Sequence, residues 1–242
     1  RREEKAQHRG RLRHRIEHVQ LLHPSDLDRL GELNIIASMQ PIHATSDMEM
    51  ADRYWGSRAR HSYAWRTMLD SGALVVFGSD APVERIDPLP GIHAAVTRQR
   101  ADGSPGPNGW YPEQRLTLDE TLFAFTKAAA LTAGQEQKQG IIAPGMLADL
   151  TVFEQDLFEV SPNEIPNVGI AGTMVGGVNC AGEILERPLL VEMVMGTTLL
   201  EPSAVPADPP DVDPVEWCRG AALRERRAAG RAARAARTAG GT

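Results

Sequence analysis

Three short runs of the sequence each end on a polar residue that can bind a metal ion. His18 follows residues 15–17, His43 follows residues 35–42, and Asp80 follows residues 74–79. Neutral imidazoles bind Zn²⁺ and similar ions through one ring nitrogen. A bound metal lowers the pKa of a water molecule, and a nearby carboxylate can take that proton and pass it on. Two imidazoles and a carboxylate at one place can therefore hold a divalent metal and handle a proton.

Each of these residues also has a purely structural interpretation. His18 alone fits a buried histidine bonded to backbone, and His43 alone fits a loop histidine in solvent. Asp80 lies in a Gly-Ser-Asp-Ala-Pro segment, where aspartate commonly caps a turn or a helix. Their occurrence at three successive run ends favours a shared site over three separate accidents.

The elements that must position these residues are predicted from the same runs. Residues 74–77 are apolar at every position, which is typical of a strand buried on both faces of a parallel sheet. Strands are predicted at about 15–20, 34–40 and 73–78, with helical segments between them as in βαβ units. In closed βα barrels, functional groups collect where strands end.

The segments between and after these strands have weaker signals. We expect a loop from Pro41 to about Gly56, a helix at about 58–70, and a helix capped by Thr117 that continues to Ala129. The Gly- and Pro-rich residues 101–109 predict a loop over the mouth of the site. Arg98, Trp110 and Tyr111 flank it and are candidate substrate contacts. A loop that is simply anchored by aromatic side chains explains them as well.

Composition excludes several classes of protein. The 242 residues are 42% hydrophobic and 24% charged, as in ordinary globular proteins, and no apolar stretch is long enough for a membrane span. Cys180 and Cys218 have no CxxC spacing, so a reducing, cytoplasmic location is expected. The net charge is −6 although both ends are rich in arginine, so the central part is acidic, which argues against nucleic-acid binding by the folded part.

Seven motifs together resemble the amidohydrolase superfamily, specifically the amidohydrolase 3 family that includes N-substituted formamide deformylase-like enzymes. They are HRIEHVQ (14–20), SMQPIHATSD (38–47), FGSDAPV (77–83), AVTRQ (95–99), WYPEQRLT (110–117), PGMLADL (144–150) and TMVGG (173–177). Each motif is weak alone, and their order and number make the set specific.

The resemblance implies an α/β fold, namely the C-terminal part of a distorted (β/α)8 TIM-type barrel with part of a small β-sandwich. We expect barrel elements in residues 1–139, the sandwich portion in 140–195, and a disordered Pro/Asp- and then Arg/Ala-rich tail in 196–242. It also implies metal-dependent hydrolysis of C–N bonds other than peptide bonds, with zinc as the expected ion. By motif position, His18, His43 and Asp80 match metal ligands, and Asp80 matches the proton shuttle.

The sequence departs from the family pattern in one respect that matters for function. It has neither the His-x-His of the first barrel strand nor a bridging-lysine segment before His18. We expect both to precede Arg1 in a longer protein, so this polypeptide alone is expected to be inactive. The expected partners are a small-molecule substrate and a second copy of the chain, with no membrane or nucleic acid.

Two other hypotheses stay open at this point. The chain can be an amidohydrolase-fold protein that binds or supports other molecules without catalysis. The basic ends also suggest association with nucleic acid, which would depend strongly on salt.

Overall fold

A computed structural model describes residues 13–176 and the backbone of residues 178–179. Three parallel strands lie at its centre in the order β1-β2-β3: β1 spans Arg15–Glu17, β2 Ile36–Met39 and β3 Val75–Phe77. Arg15 pairs with Ile36, and Ala37 pairs with Val75. The strands lie within the predicted ranges, with shorter bounds. β3 is buried throughout and β1 is exposed throughout, so the β3 edge of the sheet is covered and the β1 edge is open.

The connections from β1 to β3 are helical. A 3-10 turn at Pro24–Asp26 leads into α1 (Arg29–Glu32), which precedes β2. α2 (Pro41–Trp55) follows β2, and a 3-10 segment and α3 (Trp65–Asp70) then lead to β3.

The loop expected from Pro41 to Gly56 is wrong, because the chain is helical there. Pro41 occupies the first turn, where its fixed φ suits a helix and its missing N–H is not needed. Ala44, Met48 and Ala51 then recur at helical spacing and are buried against the sheet. Two of these three residues are alanine, so the hydrophobic periodicity of the sequence is too weak here to predict the helix.

The helix expected at 58–70 is interrupted. A 3-10 segment covers Gly56–His61, and the chain is extended at Ser62 before α3 begins at Trp65. Ser62 bridges to Leu21, and the Tyr63 N–H donates to the Gln20 carbonyl at 3.1 Å. This pairing with the segment after β1 replaces helical hydrogen bonds.

Among the described residues, three further α-helices follow β3. α4 (Pro88–Thr97) is capped by Asp87, whose carboxylate accepts the Leu89 N–H at 3.0 Å. α5 (Leu118–Phe125) begins at the predicted cap, Thr117, which forms a capping box with Glu120. The backbone leaves helical geometry at Thr126, so the expected continuation to Ala129 belongs to a separate helix, α6 (Lys127–Ala133).

A second, antiparallel sheet follows α6. Its strands are β4 (Leu150–Phe153), β5 (Ile170–Val175) and β6 (Val178–Asn179), in the order β4-β5-β6. Phe153 packs with Leu157 and Ile165 in a cluster that also contains Leu89 and Leu122 from α4 and α5. The mixed α/β class is as predicted, and the assignment of the two sheets to a barrel and a β-sandwich stays a prediction.

The main core lies between the parallel sheet and the helices around it. Buried residues from the sheet, α2 and α3 form one cluster, which includes Met39, Val75, Phe77, Ala44, Met48, Trp65 and Met68. Within the described part of the chain, no helix has the length and apolarity needed to cross a membrane. The expected tail at 196–242 and both cysteines lie outside the described residues.

Candidate metal centre

His18 is placed at the end of β1 by an unusual backbone conformation. Its φ is +69°, in the left-handed region that side chains other than glycine rarely adopt. The His18 N–H still extends the sheet by donating to the Ser38 carbonyl at 2.6 Å. Such conformations cost roughly 1–3 kcal/mol and persist where the surroundings enforce them, which is common at functional sites.

Asp80 occupies the equivalent place after β3. Gly78 continues the sheet by donating its N–H to the Met39 carbonyl at 3.2 Å, and Asp80 then turns the chain with a φ of +57°. Its carbonyl accepts the Val83 N–H at 2.8 Å, which closes the turn. The Asp80 side chain is 37% exposed, so its carboxylate is open to solvent and to a bound molecule.

His43 comes from the first turn of α2, four residues after the end of β2. The residue is 7% exposed, and its Nε2 atom is buried without a hydrogen-bond partner. A buried polar atom without a partner costs free energy, so it calls for an explanation. A metal ion bound at Nε2 would explain the missing partner, since neutral imidazole nitrogen is a common metal ligand.

The three side chains lie together. One ligand atom from each of His18, His43 and Asp80 lies within 4.8 Å of the others. The two imidazole rings have centroids 5.8 Å apart, and His18 Nδ1 lies 4.0 Å from Asp80 Oδ2. Two nitrogen donors and one carboxylate suit Zn²⁺ and other divalent first-row ions. With the orphaned Nε2 of His43, this donor set fits a divalent metal.

The comparison with known families agrees with this chemistry. A family model described as "Amidohydrolase family", the amidohydrolase 3 model, matches residues 1–180. The chain belongs to this amidohydrolase family. The resemblance found in the sequence is thereby confirmed.

The chain is similar in sequence to proteins from several organisms. The chain is 34% identical to "Protein LONG AFTER FAR-RED 3" of Arabidopsis thaliana over 167 residues, which is 68% of this chain and 28% of that protein. It is 32% identical to "Putative amidohydrolase YtcJ" of Bacillus subtilis, with 67% and 31% covered. It is 28% identical to "N-substituted formamide deformylase" of Arthrobacter pascens, with 68% and 30% covered.

The chain therefore spans about three tenths of the length of the curated relatives it matches. Among solved structures, an uncharacterized metal-dependent hydrolase from Pyrococcus horikoshii OT3 matches with 27% identity and a TM-score of 0.49. That match covers 55% of this chain and 26% of the other.

The three predicted substrate contacts of this amidohydrolase chain have other partners. Arg98 is fully buried, and its guanidinium stacks on the rings of Trp65 and Trp110 at 4.3 and 4.8 Å. It donates to the carbonyls of Trp110 and Tyr63 at 2.7 and 3.0 Å. Burial lowers the pKa of Arg98 to about 9, so it stays charged at neutral pH.

Trp110 and Tyr111 bind the far end of α2. The Trp110 indole N–H donates to both carboxylate oxygens of Asp52 at 3.1 and 3.0 Å, and the Tyr111 hydroxyl donates to the same carboxylate at 3.3 Å. Burial and the nearby Asp52 carboxylate raise the pKa of Tyr111. These contacts, like those of Arg98, hold the scaffold together, and substrate contact by the three residues stays a prediction.

Two buried polar residues were not assigned to the site from the sequence. His93 of α4 is 3% exposed and lines a cavity of about 160 Å³ with Thr45 and Gln99. Burial lowers its pKa. Gln40, between β2 and α2, is 5% exposed and contacts His18. Its position directly before Pro41-Ile42-His43 is the signal that identifies it.

Proposed function

We propose that His18, His43 and Asp80 bind a divalent metal ion, with zinc as the candidate. We further propose that this site serves the hydrolysis of C–N bonds other than peptide bonds, such as those of amides or formamides. The observation that carries the proposal is the buried, unpaired Nε2 of His43, a residue that has one ligand atom within 4.8 Å of ligand atoms of His18 and Asp80. Membership of the amidohydrolase family supports the reaction class.

The roles of the side chains follow from their chemistry and exposure. A bound divalent ion supplies an activated water molecule and a polarised carbonyl. His18 and His43 contribute neutral nitrogen donors. Asp80 combines a ligand oxygen with solvent access, so its carboxylate can accept a proton and return it to a leaving nitrogen.

The formamide class is supported by the name of one relative, the Arthrobacter N-substituted formamide deformylase. Small amides share the reacting group, a carbonyl bonded to nitrogen, so the class of substrate is defined by that bond and not by one compound. A non-catalytic binding protein with the same fold is the alternative.

Metal binding is tested on the purified full chain after treatment with a chelator. Calorimetric titration with Zn²⁺ should show binding to the wild type, and H43A and D80N should bind about tenfold or more weakly, since each loses a ligand. H23A is the matched control, because His23 is exposed and hydrogen-bonds to Ser25 at 2.8 Å, away from the group. No binding by the wild type, or equal binding by all variants, would overturn the metal site.

The reaction is tested separately with a panel of N-substituted formamides and acetamides. Metal-dependent release of formate or acetate by the wild type, lost in D80N, supports the hydrolase. Metal binding without release is the result expected for this polypeptide alone, and it fits the non-catalytic alternative equally well. Release would also contradict the expectation that the polypeptide alone is inactive, which stays a prediction.

A further inference from the structure

Gln40 has a side chain whose position is not explained by its own element. It lies between the last residue of β2 and the first residue of α2, with extended backbone angles of −126° and 105°. This is the N-cap position, where a side chain usually accepts a hydrogen bond from the first turn of the helix. Gln40 makes no such bond. Its Oε1 atom instead lies 2.9 Å from Nδ1 of His18, on the neighbouring strand.

This contact fixes the position of a proton. A side-chain carbonyl oxygen can only accept, so the hydrogen bond requires a proton on His18 Nδ1. Asp80 Oδ2 lies 4.0 Å from the same nitrogen, which is beyond hydrogen-bond distance, so Gln40 is the acceptor that this contact identifies. The contact favours the tautomer that is protonated at Nδ1, and the lone pair of the neutral ring is then at Nε2.

The two partners differ in burial. The His18 side chain is 43% exposed, so packing restrains its ring less than that of a buried side chain. Gln40 is 5% exposed and is fixed on both sides by β2 and Pro41. A buried acceptor on rigid backbone can orient an exposed ring, whereas the reverse is not possible.

We propose that Gln40 is a positioning residue of the metal site, which sets the tautomer and orientation of His18 so that Nε2 is available to the ion. The inference rests on the proposed metal-binding function. Hydrogen bonds to the second nitrogen of a ligand histidine have this role in metalloproteins, and their loss costs roughly 10- to 100-fold in metal affinity.

The test compares Q40L, Q40E and Q114L. Leucine removes the acceptor and should weaken Zn²⁺ binding roughly 10- to 100-fold. Glutamate keeps an acceptor for Nδ1–H and should bind at least as tightly as the wild type. Gln114 is a buried glutamine whose amide bonds to Thr67 at 2.8 Å, so Q114L should match the wild type in affinity. Equal affinity of Q40L and the wild type would overturn the proposal.

A second measurement needs no metal. Long-range ¹H–¹⁵N correlation spectra of the metal-free wild type, at a pH about two units above the ordinary histidine pKa, report which ring nitrogen carries the proton. We expect His18 protonated at Nδ1 in the wild type and Q40E, and a mixture in Q40L. Protonation at Nε2 in the wild type would overturn the role of Gln40. Failure of the wild type to bind zinc would instead overturn the metal site itself.

Discussion

At the scale of single residues, Arg98 shows that a charge can be part of the core. Its guanidinium lies between two tryptophan rings and supplies donors to the carbonyls of Trp110 and Tyr63. Lysine cannot replace this planar, forked geometry. The R98K variant would leave at least one buried carbonyl without a donor, and that costs about 1–3 kcal/mol.

We therefore expect urea unfolding to show R98K less stable than the wild type by about that amount. R85K is the matched control, because the Arg85 side chain is 83% exposed, and its stability should not change. An R98K protein with wild-type stability and an altered apparent affinity for substrate would contradict the structural role and support the substrate contact predicted from the sequence.

At the scale of elements, the loop after α4 packs closely against the end of that helix at Gly109. Gly109 has a φ of +66°, and a Cβ atom placed there would lie 2.2 Å from the Thr97 carbonyl oxygen. That oxygen belongs to backbone, so it cannot move aside without displacing the end of α4. The next residue, Trp110, pairs its N–H with the Arg98 carbonyl at 2.8 Å, so the displacement would reach the tryptophan that binds Asp52.

The G109A variant should lower the unfolding temperature by more than G103A does. Gly103 has a φ of +82° with no atom within 4 Å of the added Cβ, so alanine there carries only the cost of the left-handed backbone, about 1 kcal/mol. The difference between the two variants isolates the steric contact. Equal shifts in thermal unfolding would show that the turn accommodates the extra carbon.

β2 and β3 were predictable from the sequence because a largely apolar run and the polar residue after it are local features. α2 was not, because what stabilises it comes from distant parts of the chain. Asp47 accepts a hydrogen bond from the Tyr63 hydroxyl, and Asp52 binds Trp110 and Tyr111. Considered without these partners, the sequence of α2 has the polar composition that is typical of a loop. Gln40 was missed for the same reason, since its partner lies on another strand.

At the scale of the whole molecule, a buried histidine and a partly exposed glutamate make stability fall in acid over two ranges of pH. Burial lowers the pKa of His93 from its ordinary value of 6.5. The unfolded chain then takes up the proton first, so stability is complete above that value and is lost as the pH falls towards the folded pKa. Burial alone would raise the pKa of Glu120, but hydrogen bonds from Arg66 and Thr117 outweigh it and lower the pKa below 4.5. The stability from Glu120 is therefore present above 4.5 and lost below it.

Urea unfolding measured at a series of pH values from about 8 to about 3 separates the two groups. The H93Q variant should lose the decline that begins near pH 6.5 and keep the one below 4.5. E120Q should be less stable at neutral pH and should show a smaller lower decline with the upper one unchanged, because its amide cannot form the ion pair with Arg66. Part of the lower decline should remain, because a hydrogen bond from Arg13 lowers the pKa of Glu136 as well. E32Q changes an exposed carboxylate and should keep both declines. A wild-type decline near pH 6.5 that persists unchanged in H93Q would assign that range to another group.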